Sequence, residues 1–112
     1  MSTRRETVDF ILEQISGAGD VTVRPMFGEY GVYCDARIVA LICDDQLYVK
    51  PTKAGRTFIG NPEEAPPYRG AKPSFLMSAD NLEDGDWLAE LVRRTAAELP
   101  LPKPKKKRAG NV

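Results

Sequence analysis

The sequence has no histidine, only two cysteines and no long apolar run. The lack of histidine excludes an imidazole base, Ser-His-Asp and Cys-His catalytic arrangements, and the commonest metal ligand. Two cysteines alone do not complete a four-ligand zinc site. The glycines match neither the GxGxxG nor the GxxxxGK(S/T) spacing of phosphate-binding loops. We therefore expect a protein that is not an enzyme and that uses no metal or other cofactor.

The sequence also lacks the patterns of exported and membrane-spanning proteins. Residues 1–10 are polar and charged, unlike a signal peptide. The longest apolar run, residues 38–43, is far shorter than the roughly 20 residues of a helix that crosses a bilayer. We expect a cytoplasmic protein that makes no membrane contact.

The net charge is zero, but the charges are unevenly distributed. All 16 acidic residues precede residue 101, whereas five of the 16 basic residues follow it, so residues 1–100 carry a net charge of −5. We expect one domain over 1–100 and a disordered basic tail over 101–112. The basic residues of the tail are Lys103, Lys105, Lys106, Lys107 and Arg108. They are suited either to weak, nonspecific contact with nucleic acid or to solubilisation alone.

Three segments have the spacing of helices. Residues 4–16 carry apolar side chains at i, i+3, i+4 and i+7, residues 52–59 form a shorter segment, and a final helix ends at Leu99. The first helix is predicted to begin with a capping box between Thr3 and Glu6. The predicted caps of the other two are Thr52 and either Asp80 or Asp84.

Five segments have the composition of strands. They are residues 21–27, 29–34, 37–43, 46–50 and 74–78. Only Asp35-Ala36 and Asp44-Asp45 separate the middle three, which predicts two tight hairpins, although neither pair contains the glycine that such turns favour. Pro25 lacks an amide hydrogen, so the first strand is expected at an edge or at a bulge. A long proline-rich loop, residues 61–73, precedes the last strand.

The order helix, four strands, helix, strand, helix predicts an α+β fold. Because helices and strands do not alternate singly, we expect a two-layer structure in which helices pack on one face of an antiparallel, mostly meander sheet. The hairpin turns then assign side chains to two faces. The face under the helices is predicted to hold Tyr33, Ile38, Ala40, Ile42, Leu47 and Val49.

The opposite face is predicted to be half apolar. It is expected to hold Tyr30, Val32, Cys34, Arg37, Val39, Leu41, Cys43, Tyr48 and Lys50. Such a face suits contact with a protein, a second copy of the chain or a flat ligand, unless the final helix or the long loop covers it. The predicted partner-binding residues are Arg24, Tyr30, Val32, Arg37, Val39, Leu41, Tyr48 and Lys50. In this register Cys34 and Cys43 lie beyond disulfide reach, so both are expected to be free thiols.

Residues 24–50 contain an Arg-x-Met-Phe-Gly motif, then Gly-x-Tyr, an apolar strand and Leu-Tyr-x-Lys. This pattern resembles the TfoX/Sxy N-terminal domain family, and the resemblance extends from about Thr7 to Leu99. The residues at the characteristic positions are Arg24, Met26, Phe27, Gly28, Gly31, Tyr33, Leu47, Tyr48 and Lys50. Two departures are Ala36, where the family commonly has glycine, and a basic tail where full-length competence regulators carry a C-terminal helical domain.

The resemblance implies a non-enzymatic role in the regulation of bacterial DNA-uptake competence. Regulators of this family assist an activator of the cyclic-AMP receptor protein type. We therefore expect a protein-interaction domain that modulates transcription through an activator or polymerase, with a homodimer as a further expectation. The alternative is a nonspecific nucleic-acid accessory protein tethered by its basic tail. A stand-alone domain can also share the fold without the competence role.

Overall fold

Residues 3–26 and 29–100, which the computed structural model describes, form a six-stranded sheet with helices on one side. The helices are α1 (Arg5–Ile15), α2 (Lys53–Ile59), α3 (Ala79–Glu83) and α4 (Gly85–Glu98), with a short 3-10 turn at Ser16–Ala18. The strands are β1 (Val21–Met26), β2 (Glu29–Cys34), β3 (Arg37–Cys43), β4 (Gln46–Val49), β5 (Glu63–Ala65) and β6 (Ser74–Leu76). Among these residues, no helix is both long and apolar enough to cross a bilayer.

The sheet order is β1-β2-β3-β4-β6-β5, and every pairing is antiparallel. The predicted α+β class, the meander and the edge position of the strand that contains Pro25 are confirmed. Two elements were not predicted. β5 lies inside the loop expected to be irregular, and α3 precedes the final helix. The predicted disorder of residues 101–112, like the tail's basic side chains, lies outside the described residues.

Both hairpins turn at the predicted residue pairs. Cys34 pairs with Arg37 and Cys43 with Gln46. The four turn residues have φ values from 51° to 72°, the left-handed conformation that a type I′ turn requires. Tertiary contacts hold this conformation without glycine: in one turn, the Asp35 carboxylate accepts a hydrogen bond of 2.9 Å from the Asp20 N–H.

The core lies between the helices and one face of the sheet, which we call the helix face. The helices contribute fully buried side chains from Val8, Ile11, Ile15, Leu88, Leu91 and Val92. The sheet contributes Val32, Val39, Ile42, Leu47, Val49 and Phe75, which are also fully buried. Burial of each such side chain contributes about 1.5–3 kcal/mol, so this layer accounts for the packing of α1 and α4 on the sheet.

A bulge in β3 corrects the predicted faces. Val32 pairs with Ala40, but the next residue, Tyr33, pairs with Ile38, so Val39 is an extra residue in the ladder. One extra residue exchanges the predicted faces for every position of β2 and β3 that precedes it in the chain. The predicted helix-face positions Ala40, Ile42, Leu47 and Val49 are confirmed, because they face one another across β3 and β4 and are buried.

The wrong assignments fall on residues of β2 and the first part of β3, which come before the extra residue in the chain. Tyr33 and Ile38 lie opposite the helices and not beneath them, whereas Tyr30, Val32 and Cys34 belong to the helix face. Val39 is itself fully buried in the core.

The helix caps are partly as predicted. Thr52 caps α2 by accepting a hydrogen bond of 2.9 Å from the Gly55 N–H, and Asp84 caps α4. Asp80 is not a cap, because Ser78 caps α3. The predicted capping box of α1 is wrong: its N-cap is Arg4, and the Thr3 hydroxyl instead donates to the Glu29 carboxylate.

Candidate functional site

The sheet face away from the helices, which we call the outer face, is crossed by one continuous row of side-chain positions. Successive pairings join six residues, one from each strand: Arg24, Gly31, Leu41, Tyr48, Leu76 and Glu63. Directly paired residues in an antiparallel sheet point to the same side. The row therefore has an aromatic and aliphatic centre, a basic end on β1 and an acidic end on β5.

Beside this row, three side chains gather over the backbone of Gly31. A Cβ atom at this position would lie 3.1 Å from Met26 Cε, 3.4 Å from Tyr33 Cε1 and 3.5 Å from Ile38 Cδ1. The guanidinium carbon of Arg24 lies 5.2 Å from the centroid of the Tyr33 ring. The motif residues Arg24, Gly31 and Tyr33 thus form one contact unit on the outer face, which we call the Gly31 cluster together with Met26 and Ile38.

The outer face is half buried and not sealed. Tyr33, Ile38, Leu41, Tyr48 and Leu76 all have intermediate exposure. α1 and α4 lie on the other side of the sheet, where their buried residues form the core with those of the strands. Aromatic and aliphatic side chains in this state are typical of contact surfaces.

Of the predicted partner-binding residues, three lie on the outer face: Arg24, Leu41 and Tyr48. Their role in binding stays a prediction. Lys50 lies just beyond β4, where its N–H donates to the Val39 carbonyl at 2.8 Å.

The other four predicted partner-binding residues are buried in the core, pack against it or contact the end of α4. Val32 and Val39 are fully buried, so their predicted place on an exposed face is wrong, and the bulge at Val39 is the reason. Tyr30 packs partly buried against the core. The Arg37 guanidinium donates to the Leu99 carbonyl at 2.9 Å and so fastens the end of α4 to the sheet.

A cavity of about 600 Å³ opens at the end of the outer face that contains the β3–β4 turn. Its lining residues are Met26, Glu29, Tyr30, Leu41, Cys43, Asp44, Pro67 and Tyr68. Pro67 and Tyr68 come from the long loop before β6, and Tyr68 is 55% exposed. The sequence contains no signal of this cavity, because only the fold brings that loop to the β3–β4 turn.

Both cysteines are free and buried, as predicted. Burial raises the pKa of the Cys43 thiol, and the carboxylates of Glu29 and Asp44 raise it further. The pKa of Tyr48 is raised by burial and then by Cys43 and Asp44. Burial, together with Asp35, likewise raises the pKa of Cys34. Around Cys43 and Tyr48, burial and the neighbouring acidic groups therefore both disfavour the ionised forms of these two side chains.

Within residues 3–26 and 29–100, no three side chains of the His, Cys, Asp or Glu type converge to hold a metal ion. Phe27 and Gly28 of the motif, and the basic tail, lie outside the described residues.

The sequence has known relatives. The family model described as the TfoX N-terminal domain matches residues 13–99. A protein of Spirochaeta aurantia, titled an uncharacterized 12.7 kDa protein in the trpE 5′ region, is 42% identical over 106 residues, which cover 95% of this chain and 91% of that protein.

Proposed function

The chain belongs to the TfoX N-terminal domain family, and from this membership we propose that it is a regulatory protein-interaction domain that modulates transcription through a protein partner. The family's association with competence regulation supports the regulatory part of the proposal. The outer face of the sheet supports the interaction part. The partner we propose is a transcription activator of the cyclic-AMP receptor protein type or RNA polymerase.

The observation that carries the proposal is the row across the six strands. Leu41, Tyr48 and Leu76 lie side by side on three neighbouring strands and are only partly buried by the chain itself. A partner that covers them removes apolar area from water without disturbing the core on the other side. Tyrosine is among the residues that contribute most to the stability of protein interfaces.

The charges at the two ends of the row favour one orientation of the partner. Arg24 is exposed on β1, and Glu63 is exposed on β5 at the opposite edge. A partner with complementary charges is attracted in one orientation and repelled in the reversed one. Arg24 is also held in place by its contact with the Tyr33 ring, which reduces the entropy it loses on binding.

The experiment that tests the proposal is site-specific photo-crosslinking in living cells. A photoreactive phenylalanine analogue replaces Tyr48 on the outer face, and in the matched control it replaces Phe10, which is 39% exposed on α1. We expect a transcription activator or polymerase subunit to crosslink at position 48 and not at position 10, and deletion of the gene to change the transcripts of competence genes. Equal products at the two positions, or unchanged transcripts, contradict the proposal.

A further inference from the structure

We propose that the cavity beside the β3–β4 turn binds a small organic cation, a molecule that joins an ammonium or guanidinium group to an apolar body. This ligand is distinct from the protein partner proposed above, although Leu41 belongs to both surfaces. The inference rests on the size of the cavity, the chemistry of its walls and the charge that the fold leaves there.

The size and the walls suit a small ligand. A volume of about 600 Å³ lies within the range of ligand-binding cavities. Met26, Leu41 and Pro67 supply apolar surface for the body of the ligand, and the exposed Tyr68 adds an aromatic ring to the lining. Tyrosine rings attract cations through their negatively polarised faces, so Tyr68 suits a charged group joined to an apolar one.

The charge of the lining residues favours a cation over an anion. The lining contains two acidic residues, Glu29 and Asp44, and none of the described lining residues is basic. Glu29 accepts hydrogen bonds from the Thr3 hydroxyl and from the Asp44 N–H at 3.2 Å, both uncharged donors, so its negative charge is not neutralised by them. Among the described residues, no ion pair involves either carboxylate.

The lack of an ion pair at Asp44 is not shared by the next residue, Asp45. Asp45, the second residue of the same turn, forms an ion pair with Arg4 at 3.5 Å and accepts a hydrogen bond from Thr7. Its charge is thus compensated on the side of α1. The charges of Glu29 and Asp44 are not compensated in this way, and these are the two that line the cavity. Burial is the first cause of the raised pKa of Cys43, and Glu29 and Asp44 raise this pKa further, in agreement with a negative potential there.

A titration with three molecules of similar shape tests the proposal. The probes are 2-phenylethylammonium, neutral 2-phenylethanol and anionic 3-phenylpropionate, added at neutral pH to the full-length, isotope-labelled chain. Amide NMR spectra report where and how tightly each probe binds. We expect the cation to cause saturable shifts at the residues that line the cavity. The affinity for the neutral probe should be at least about fivefold lower, and the affinity for the anion lower still. No saturable binding of the cation at millimolar concentration, or equal binding of the neutral probe, overturns the proposal.

A matched pair of variants links the binding to the cavity. Asp44→Asn removes one lining charge, and asparagine tolerates the left-handed conformation of this turn. Asp35→Asn makes the same change at the first residue of the other hairpin turn, outside the cavity lining. We expect Asp44→Asn to weaken cation binding about fivefold and Asp35→Asn to leave it unchanged. An equal response of the two variants contradicts the assignment.

The exposed residue Tyr68 provides a variant with little risk to the fold. Tyr68→Ala removes one aromatic ring from the lining, and we expect it to lower the affinity for the cation about threefold or more. Wild-type affinity in this variant argues against the assignment of the ligand to this cavity.

Discussion

The guanidinium carbon of Arg24 lies 5.2 Å from the centroid of the Tyr33 ring, across the β1–β2 ladder. The two residues are not directly paired: Arg24 pairs with Gly31, and Tyr33 with Thr22. The contact is therefore a diagonal one, and the missing side chain of Gly31 leaves space for it. This space makes the outer face sensitive to a substitution at Gly31.

Gly31→Ala is expected to lower the free energy of unfolding by about 1–2 kcal/mol, because the new Cβ lies 3.1 Å from Met26 Cε and crowds the Gly31 cluster. Chemical denaturation measures the change. Gly17→Ala is the matched control, since a Cβ there meets no atom within 4 Å. Equal effects of the two substitutions would show that the close contact has no energetic weight.

The hydroxyl of Thr52 is expected to contribute to stability as a helix cap. Thr52→Ala removes the acceptor for the Gly55 N–H and should lower the free energy of unfolding by about 1 kcal/mol. Thr57→Ala, at an exposed position in the same helix, provides the control and should change it by less than about 0.5 kcal/mol. Denaturant titration of both variants distinguishes the cap from a general effect of threonine removal.

Stability is expected to depend on pH through Glu98, whose carboxylate joins the end of α4 to the start of α2. Hydrogen bonds from the N–H groups of Ala54, at 2.8 Å, and Lys53, at 3.0 Å, lower the pKa of Glu98 from its ordinary value of 4.5. A carboxylate with a lowered pKa stabilises the folded state above the unfolded-state pKa, and this stabilisation is lost as the pH falls through the folded-state value.

Glu98→Gln should therefore be less stable than the wild type at pH 7, and the difference should shrink as the pH falls below 4.5. Denaturation curves at a series of pH values give this difference directly. A difference that stays constant with pH would mean that the charge of Glu98 has no part in it.

Both thiols are expected to react slowly with a thiol reagent in the folded protein, because burial is the first cause of the raised pKa of each. Cys34 should be the slower of the two, since it is fully buried and Cys43 is 6% exposed. In denaturant, two thiols per chain should react rapidly. Fast reaction of Cys34 with the reagent in the folded protein would contradict the packing of β2 beneath the helices.

The nucleic-acid alternative depends on the tail and is tested by removing it. If five basic residues each neutralise a phosphate, the logarithm of the affinity for duplex DNA falls with the logarithm of the salt concentration with a slope of about −4 to −5. A chain that ends at Pro100 then loses this binding. Affinity measurements at several salt concentrations compare the two chains. Equal affinity of the full and shortened chains eliminates the tail as a tether.

Local sequence features were sufficient to predict most of the fold. The pairs Asp35-Ala36 and Asp44-Asp45 predicted both hairpins, although four residues must adopt positive φ angles without glycine. Thr52 and Pro25 predicted a helix cap and an edge strand because each acts through its own chemistry. Such features are local, so they need no knowledge of the neighbouring elements.

The faces and the cavity were not predictable in the same way. The extra residue at Val39 has no sequence signal of its own in an apolar strand, yet it exchanges the predicted faces of all the preceding positions in β2 and β3. Gly31 inside β2 was the available hint of the Gly31 cluster, because a strand glycine often marks a place where neighbours come close. The approach of Tyr68 to Asp44 depends on a long loop, whose path no pattern in the sequence determines.

The two edge strands of the sheet, β1 and β5, differ from the central strands. The margin at β1 includes a proline, which has no amide hydrogen to offer, and the margin at β5 is three residues long and begins with two consecutive glutamates. Both features discourage another chain from extending the ladder sideways. The edges of the sheet thus resist the strand-by-strand growth that leads to fibrils, whereas the side chains of the outer face form the proposed contact surface.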